Sequence, residues 1–171
     1  MHLARYHWYG IETIIDKDFS AVDIMEDTKE AWQRYFNNGN AFANAGDNEQ
    51  ALEQLEEASK IYPDHPLTWN NMGVAKMCLG HFEESIEYFN KAIALNDRYK
   101  DAYHNRGLAY SDLGDLVSSL KDLSKAIDLD EFYWSAFRHR SIVYHLMGNH
   151  QKSSEDYAKA QDLYERQERG V

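Results

Sequence analysis

Along most of the chain, apolar side chains recur every three or four residues, and the pattern restarts at a fixed interval. Tyr35, Trp69, Tyr103 and Phe137 each head such a stretch; six residues later stand Ala41, Ala75, Ala109 and Val143, followed at once by Phe42, Lys76, Tyr110 and Tyr144. A second stretch in each unit carries Leu55, Phe89, Leu123 and Tyr157, then Ile61, Leu95, Leu129 and Leu163. Spacings of i, i+3, i+4 and i+7 place such residues on one stripe of a helix. The pattern predicts helices in pairs, each pair closing its apolar stripes against one another.

Glycine marks the joints. Gly46, Gly80, Gly114 and Gly148 lie 34 residues apart, and Ala58, Ala92, Ala126 and Ala160 follow each by twelve. Glycine inside a helix costs about 1 kcal/mol relative to alanine, so one that recurs between two helical stretches predicts a turn with a left-handed C-cap. A second column, Gly39, Gly73, Gly107 and then Ser141, falls inside the first helix of each unit. It predicts a close approach of the paired helices, with Ala51, Ser85, Ser119 and Ser153 as partners; leucine there would overpack the pair by about 1–3 kcal/mol. A constant period near 34 residues is the signature of a stacked helical repeat.

Units such as WNNMGVAKMCLGHFEESIEYFNKAIALND (69–97) and YHNRGLAYSDLGDLVSSLKDLSKAIDLD (103–130) resemble tetratricopeptide (TPR) repeats. The resemblance covers four units, about 32–65, 66–99, 100–133 and 134–167. It implies an all-α, right-handed α-solenoid of four helix-turn-helix hairpins. Departures are Lys76 in place of an aromatic, Asn38, Arg106 and Arg140 in place of Leu, and a terminal proline only in the first unit, Pro63.

A repeat array must cover its ends. In the last second helix, two columns are polar: Leu52, Ile86 and Leu120 give way to Ser154, and Ser59, Ile93 and Ile127 to Gln161. This predicts that α-helical stacking stops there and the helix forms its own solvent face. At the other end, DTKE (27–30) reads as a capping box with Asp27 as N-cap and Glu30 at N3. Residues 1–26 are then an N-terminal extension, expected to be a helical cap in which Ile11, Ile14, Ile15, Phe19 and Val22 form the apolar face. Residues 27–171 are the repeat domain.

Composition narrows the function. The net charge of −11 argues against nucleic acid and anionic membrane surfaces and suits a basic partner. No apolar run is long enough for a membrane span or a signal peptide, so the expected location is cytoplasmic. Cys78 is the only cysteine, which rules out an internal disulfide; its apolar helix face predicts a buried, inert thiol. The histidines show no HExxH or Cys/His ligand spacing, so no metal is expected, and His65, His81 and His150 read as solvated turn residues. The many carboxylates read as a solvated helix face. No positioned base, electrophile or phosphate loop is present, so neither catalytic residues nor a cofactor are expected.

The TPR resemblance implies that first helices line a concave, partner-binding groove. Aligning the units places Gln33, Phe36, Asn37, Asn40 and Asn44 there, then Asn70, Asn71, Val74, Met77 and Cys78. The third unit contributes Asp101, His104, Asn105, Leu108 and Asp112, and the fourth Ser135, Arg138, His139, Ile142 and His145. Amides suit the backbone of an extended peptide; equally, Asn37, Asn71 and Asn105 are candidates for bonding neighbouring helices. TPR domains that bind the acidic C-terminal tails of heat-shock chaperones use three cations and two amides. The amides match Asn40 and Asn71, but the cation positions hold Phe36, Asp101 and Asn105, so such tails are not expected to bind. The expected function is a non-enzymatic protein-interaction module. A small chaperone, immunity or inhibitor protein masking a basic or aggregation-prone partner, and a regulatory domain of an enzyme, stay open as alternatives, as does a homodimer.

Overall fold

The computed structural model describes residues 4–8, 11–15 and 21–170. Eight helices follow one another: α1 (Ala21–Asn44), α2 (Asn48–Ile61), α3 (Pro66–Cys78), α4 (Phe82–Leu95), α5 (Lys100–Asp112), α6 (Leu116–Leu129), α7 (Trp134–Leu146) and α8 (His150–Arg169). They pack as four hairpins, and each second helix also packs on the first helix of the next hairpin. Among the described residues, α1, α3, α5 and α7 touch in succession, whereas α2, α4, α6 and α8 do not touch one another. The first helices therefore line the inner side of a curved stack.

The turn glycines adopt φ values of 85°, 79°, 80° and 77°, as the C-cap reading requires. The residue after each closes the first helix through its backbone N–H: Asp47 to Phe42 O, His81 to Lys76 O, Asp115 to Tyr110 O and Asn149 to Tyr144 O, at 2.8–3.0 Å. This is the six-to-one bond of a Schellman motif. The same residue then caps the second helix with its side chain, since Asp47, Asp115 and Asn149 accept from Gln50, Ser118 and Lys152 N–H. His81 has no such bond, so the second repeat alone lacks this cap.

The inner glycines admit the close approach. A Cβ on Gly73 would lie 2.6 Å from the Phe89 ring, and one on Gly39 would lie 2.7 Å from Leu55 Cγ. Leu55, Phe89 and Leu123 are fully buried, as are Ala51, Ser85 and Ser119. The positions where Leu was replaced carry polar pairs to the second helix instead. Arg106 grips Asp122 through Nε (2.6 Å) and Nη2 (2.9 Å), and Arg140 grips Asp156 in the same way at 2.7 and 2.9 Å. Asn38 bonds Gln54 at the equivalent place in the first repeat.

The N-terminal expectation needs correction. Ala4–Trp8 and Ile11–Ile15 are strands paired antiparallel, with Ala4 opposite Ile15 and Trp8 opposite Ile11. The i, i+4 spacing of isoleucines suggested a helix, but IETII is dominated by β-branched residues, which favour extended backbone. Phe19 lies outside the described residues, and Val22 belongs to α1. Asp27 is no N-cap: α1 starts at Ala21 and runs through it, because no breaker interrupts the preceding residues. At the other end Ser154 and Gln161 are exposed as expected, but so are Tyr157 and Tyr164.

Candidate functional site

The inner surface is built on a continuous polar ladder that crosses all four repeats. His139 Nδ1 lies 2.9 Å from His104 Nε2. His104 Nδ1 lies 3.3 Å from Asn105 Oδ1. Asn105 Nδ2 donates to Asn70 Oδ1 at 3.1 Å, Asn70 Nδ2 to Asn71 Oδ1 at 3.1 Å, and Asn71 Nδ2 to Asn40 Oδ1 at 2.7 Å. Because Asn105 Oδ1 can only accept, His104 carries its proton on Nδ1 and accepts at Nε2 from His139. Each step between helices thus donates toward the N-terminal repeat, from α7 to α1, and the two steps within a helix run to the next residue.

Burial has an electrostatic consequence here. His104 is buried, and desolvation, reinforced by the nearby His139, pushes its imidazole down to about 4. Desolvation lowers His139 as well. His104 is neutral at pH 7, as its accepting Nε2 requires, and burial disfavours the charged form of His139 too.

The expected groove residues divide by depth. Asn70 and His104 form the floor and are nearly closed to solvent. Asn40, Asn71, Val74, Met77, Asn105, Leu108 and His139 are half-buried above it, while Asn44, Asp112, Arg138, Ile142 and His145 are exposed. Phe36 is not available: it is buried in the first core, stacked on Trp32 with ring centroids 5.0 Å apart. Asn71 and Asn105 do bond neighbouring helices, but Asn37 pairs within its own helix, with Gln33 at 2.9 Å.

Two other readings change. Cys78 is exposed, because it sits in the last turn of α3, where the helix meets solvent before its capping glycine. His65 is half-buried, its ring 4.4 Å from that of Trp32, and burial lowers its affinity for protons. The His104–His139 contact joins two residues each placed in the groove by the repeat, 35 positions apart; their shared inner face was the signal that they meet. Among the described residues, no cluster of three or more His, Cys, Asp or Glu side chains could hold a metal ion, and no helix is long and apolar enough to cross a membrane.

Arg138 lies at the end of this surface rather than in its middle. With Trp134 on α7 and Tyr157, Ala160, Gln161 and Tyr164 on α8, it lines a hollow of about 340 Å³. Trp134 and Tyr164 meet edge to face at 5.0 Å. No sequence column announced this hollow, because Arg138, Tyr157 and Ala160 occupy columns that interior repeats bury.

Known proteins share this architecture. A family model described as tetratricopeptide repeat matches residues 64–131, and a second, described as TPR repeat, matches residues 39–80. No curated protein matches the chain. Among solved structures, a crystal structure of MamA superposes with a TM-score of 0.74 at 20% identity, covering 86% of each chain. The first TPR domain of Spaghetti (RPAP3), bound to the HSP90 peptide SRMEEVD, superposes at 0.67 and 23% identity, over 70% of this chain and 94% of that one. YrrB, a TPR protein with an unusual peptide-binding site, gives 0.67 at 20% identity, over 83% and 73%. The repeat columns, the eight-helix stack and these matches lead to one conclusion: the chain belongs to the tetratricopeptide repeat family and folds as a right-handed α-solenoid of four repeats.

Proposed function

We propose that this protein is a non-catalytic interaction module whose inner surface holds an extended peptide of a protein partner. The amide–imidazole ladder carries the reading. Each side-chain amide has two N–H donors and two acceptor lone pairs. The ladder spends one N–H of Asn71 and one of Asn105, and neither from Asn40. Half-buried amides with unspent donors, fixed in place by their neighbours, suit the backbone carbonyls of an extended chain. Val74, Met77 and Leu108 supply apolar contact alongside. The peptides bound by Spaghetti and implied for YrrB support the same use of this fold. The net charge of −11 favours a partner that is basic overall.

A peptide-display selection on the full chain, followed by calorimetry of the selected peptide, tests the reading. Asn71→Ala with Asn105→Ala should weaken binding by about tenfold or more. Val74→Glu, which leaves the ladder intact, should do the same. A selected peptide indifferent to both changes would place the function elsewhere. An acidic heat-shock tail such as SRMEEVD should bind no tighter than about 1 mM, since the positions that would hold its carboxylates lack cations.

A further inference from the structure

The α7–α8 hairpin carries an exposed aromatic surface. In the first three repeats, one column of the second helix sets Leu55, Phe89 and Leu123 against the inner glycine of its own hairpin, each fully buried. In α8 the same column is Tyr157, 51% exposed, beside Tyr164 at 46%. The face that interior repeats use for stacking is here left open and aromatic, with the hollow at its centre.

A matching projection stands beside it. Phe132, in the turn before α7, is 64% exposed. Its placement is firm: its N–H donates to Asp130 Oδ1 at 3.0 Å, and its carbonyl accepts from Trp134 N–H at 2.8 Å. Glu131 next to it and Arg138 in the hollow are both exposed, and neither forms an ion pair among the described residues. Knob and hole, and carboxylate and guanidinium, thus adjoin on one edge of one molecule. That is the arrangement a two-fold interface requires, since each contact must occur twice by exchange of partners. Charge permits it as well. Helix α8 carries four cations (Lys152, Lys159, Arg166, Arg169) against five carboxylates, so this face is nearly balanced in a strongly acidic chain.

We propose that a second copy of this chain docks on the α7–α8 face, inserting Phe132 into the hollow and pairing Glu131 with Arg138, reciprocally. The surface meets the inner groove only at Arg138 and leaves the ladder untouched. Sedimentation equilibrium of the full chain, from about 1 to about 500 μM, tests the proposal. The wild type should show a monomer–dimer equilibrium. Phe132→Ser should weaken it by about tenfold or more, and Arg138→Glu should weaken it similarly. Combining Glu131→Arg with Arg138→Glu should restore it. Phe132 is exposed, so its variant should melt at the wild-type temperature. A chain that stays monomeric throughout, or a dimer unmoved by Phe132→Ser and by the charge swap, overturns the proposal. So does a hollow that binds an aromatic-acidic peptide while the chain remains monomeric.

Discussion

Helices α6 and α8 occupy equivalent places in their repeats, yet α6 packs on two first helices and α8, among the described residues, on one. Leu123 on α6 is fully buried against Gly107 of α5, while Tyr157 in the same column of α8 is 51% exposed. Asp122 and Asp156 are alike in both, each clamped by an arginine from its own first helix. Contacts within a hairpin therefore repeat faithfully, and contacts between hairpins end where the stack ends. The chemistry follows this division. On α8, Ser154 and Gln161 stand where α6 has Leu120 and Ile127, but aromatics remain at the rim of the hollow.

The strongest way to break the comparison is to truncate both members of the column. Leu123→Ala should cost about 3–5 kcal/mol in guanidinium unfolding, because it opens a cavity between α5, α6 and α7. Tyr157→Ala, measured on dilute protein, should cost less than about 1 kcal/mol. Equal losses would mean that α8 is covered by something after all.

Next in size is the polar pair shared by both helices. Asp122→Ala strands the half-buried Arg106 and should cost about 2–4 kcal/mol in the same measurement. The second repeat holds Met72 and Tyr88 at these places. Importing them as Arg106→Met with Asp122→Tyr should therefore stay within about 1 kcal/mol of the wild type.

Acid should loosen the inner surface where the two histidines meet. His104 titrates at about 4 in the folded chain and near 6.5 when unfolded. As pH falls, the unfolded chain takes up the proton first. The stability held above about pH 6.5 is thus lost progressively down to about pH 4, by about 2 kcal/mol between pH 7 and pH 5. Thermal melts across that range should show this slope, and His104→Asn should flatten it.

The smallest effect concerns the caps. His81→Asp should give the second repeat the cap that Asp115 gives the third, and stabilise it by about 1 kcal/mol. Asp115→Ala should lose a similar amount. Hydrogen exchange of α4 and α6 amides reports each change locally.

Much of this was legible in the residues. The turn glycines, the inner column of small residues and the buried Leu55, Phe89 and Leu123 follow from a 34-residue period, since each position's role recurs from repeat to repeat. The Arg–Asp clamps were half legible: two arginines stood out as departures, and their aspartates lay sixteen residues on in both repeats. The ladder was visible only as a set of groove positions. Its direction, and the burial of Asn70, His104 and Phe36, depend on how neighbouring first helices are set against one another. The strand pairing of residues 4–15 ran against the helical spacing, because a four-residue interval of isoleucines also occurs by chance in a β-branched segment.

Local periodicity alone determined the helices, their turns and the hairpin as the unit of packing, because those depend on contacts between residues close in sequence. Tertiary structure decided which amides meet, which histidine loses its charge and which aromatics stay open to solvent. Those outcomes depend on the neighbouring repeat, and a position's own residue does not record whether that neighbour is present.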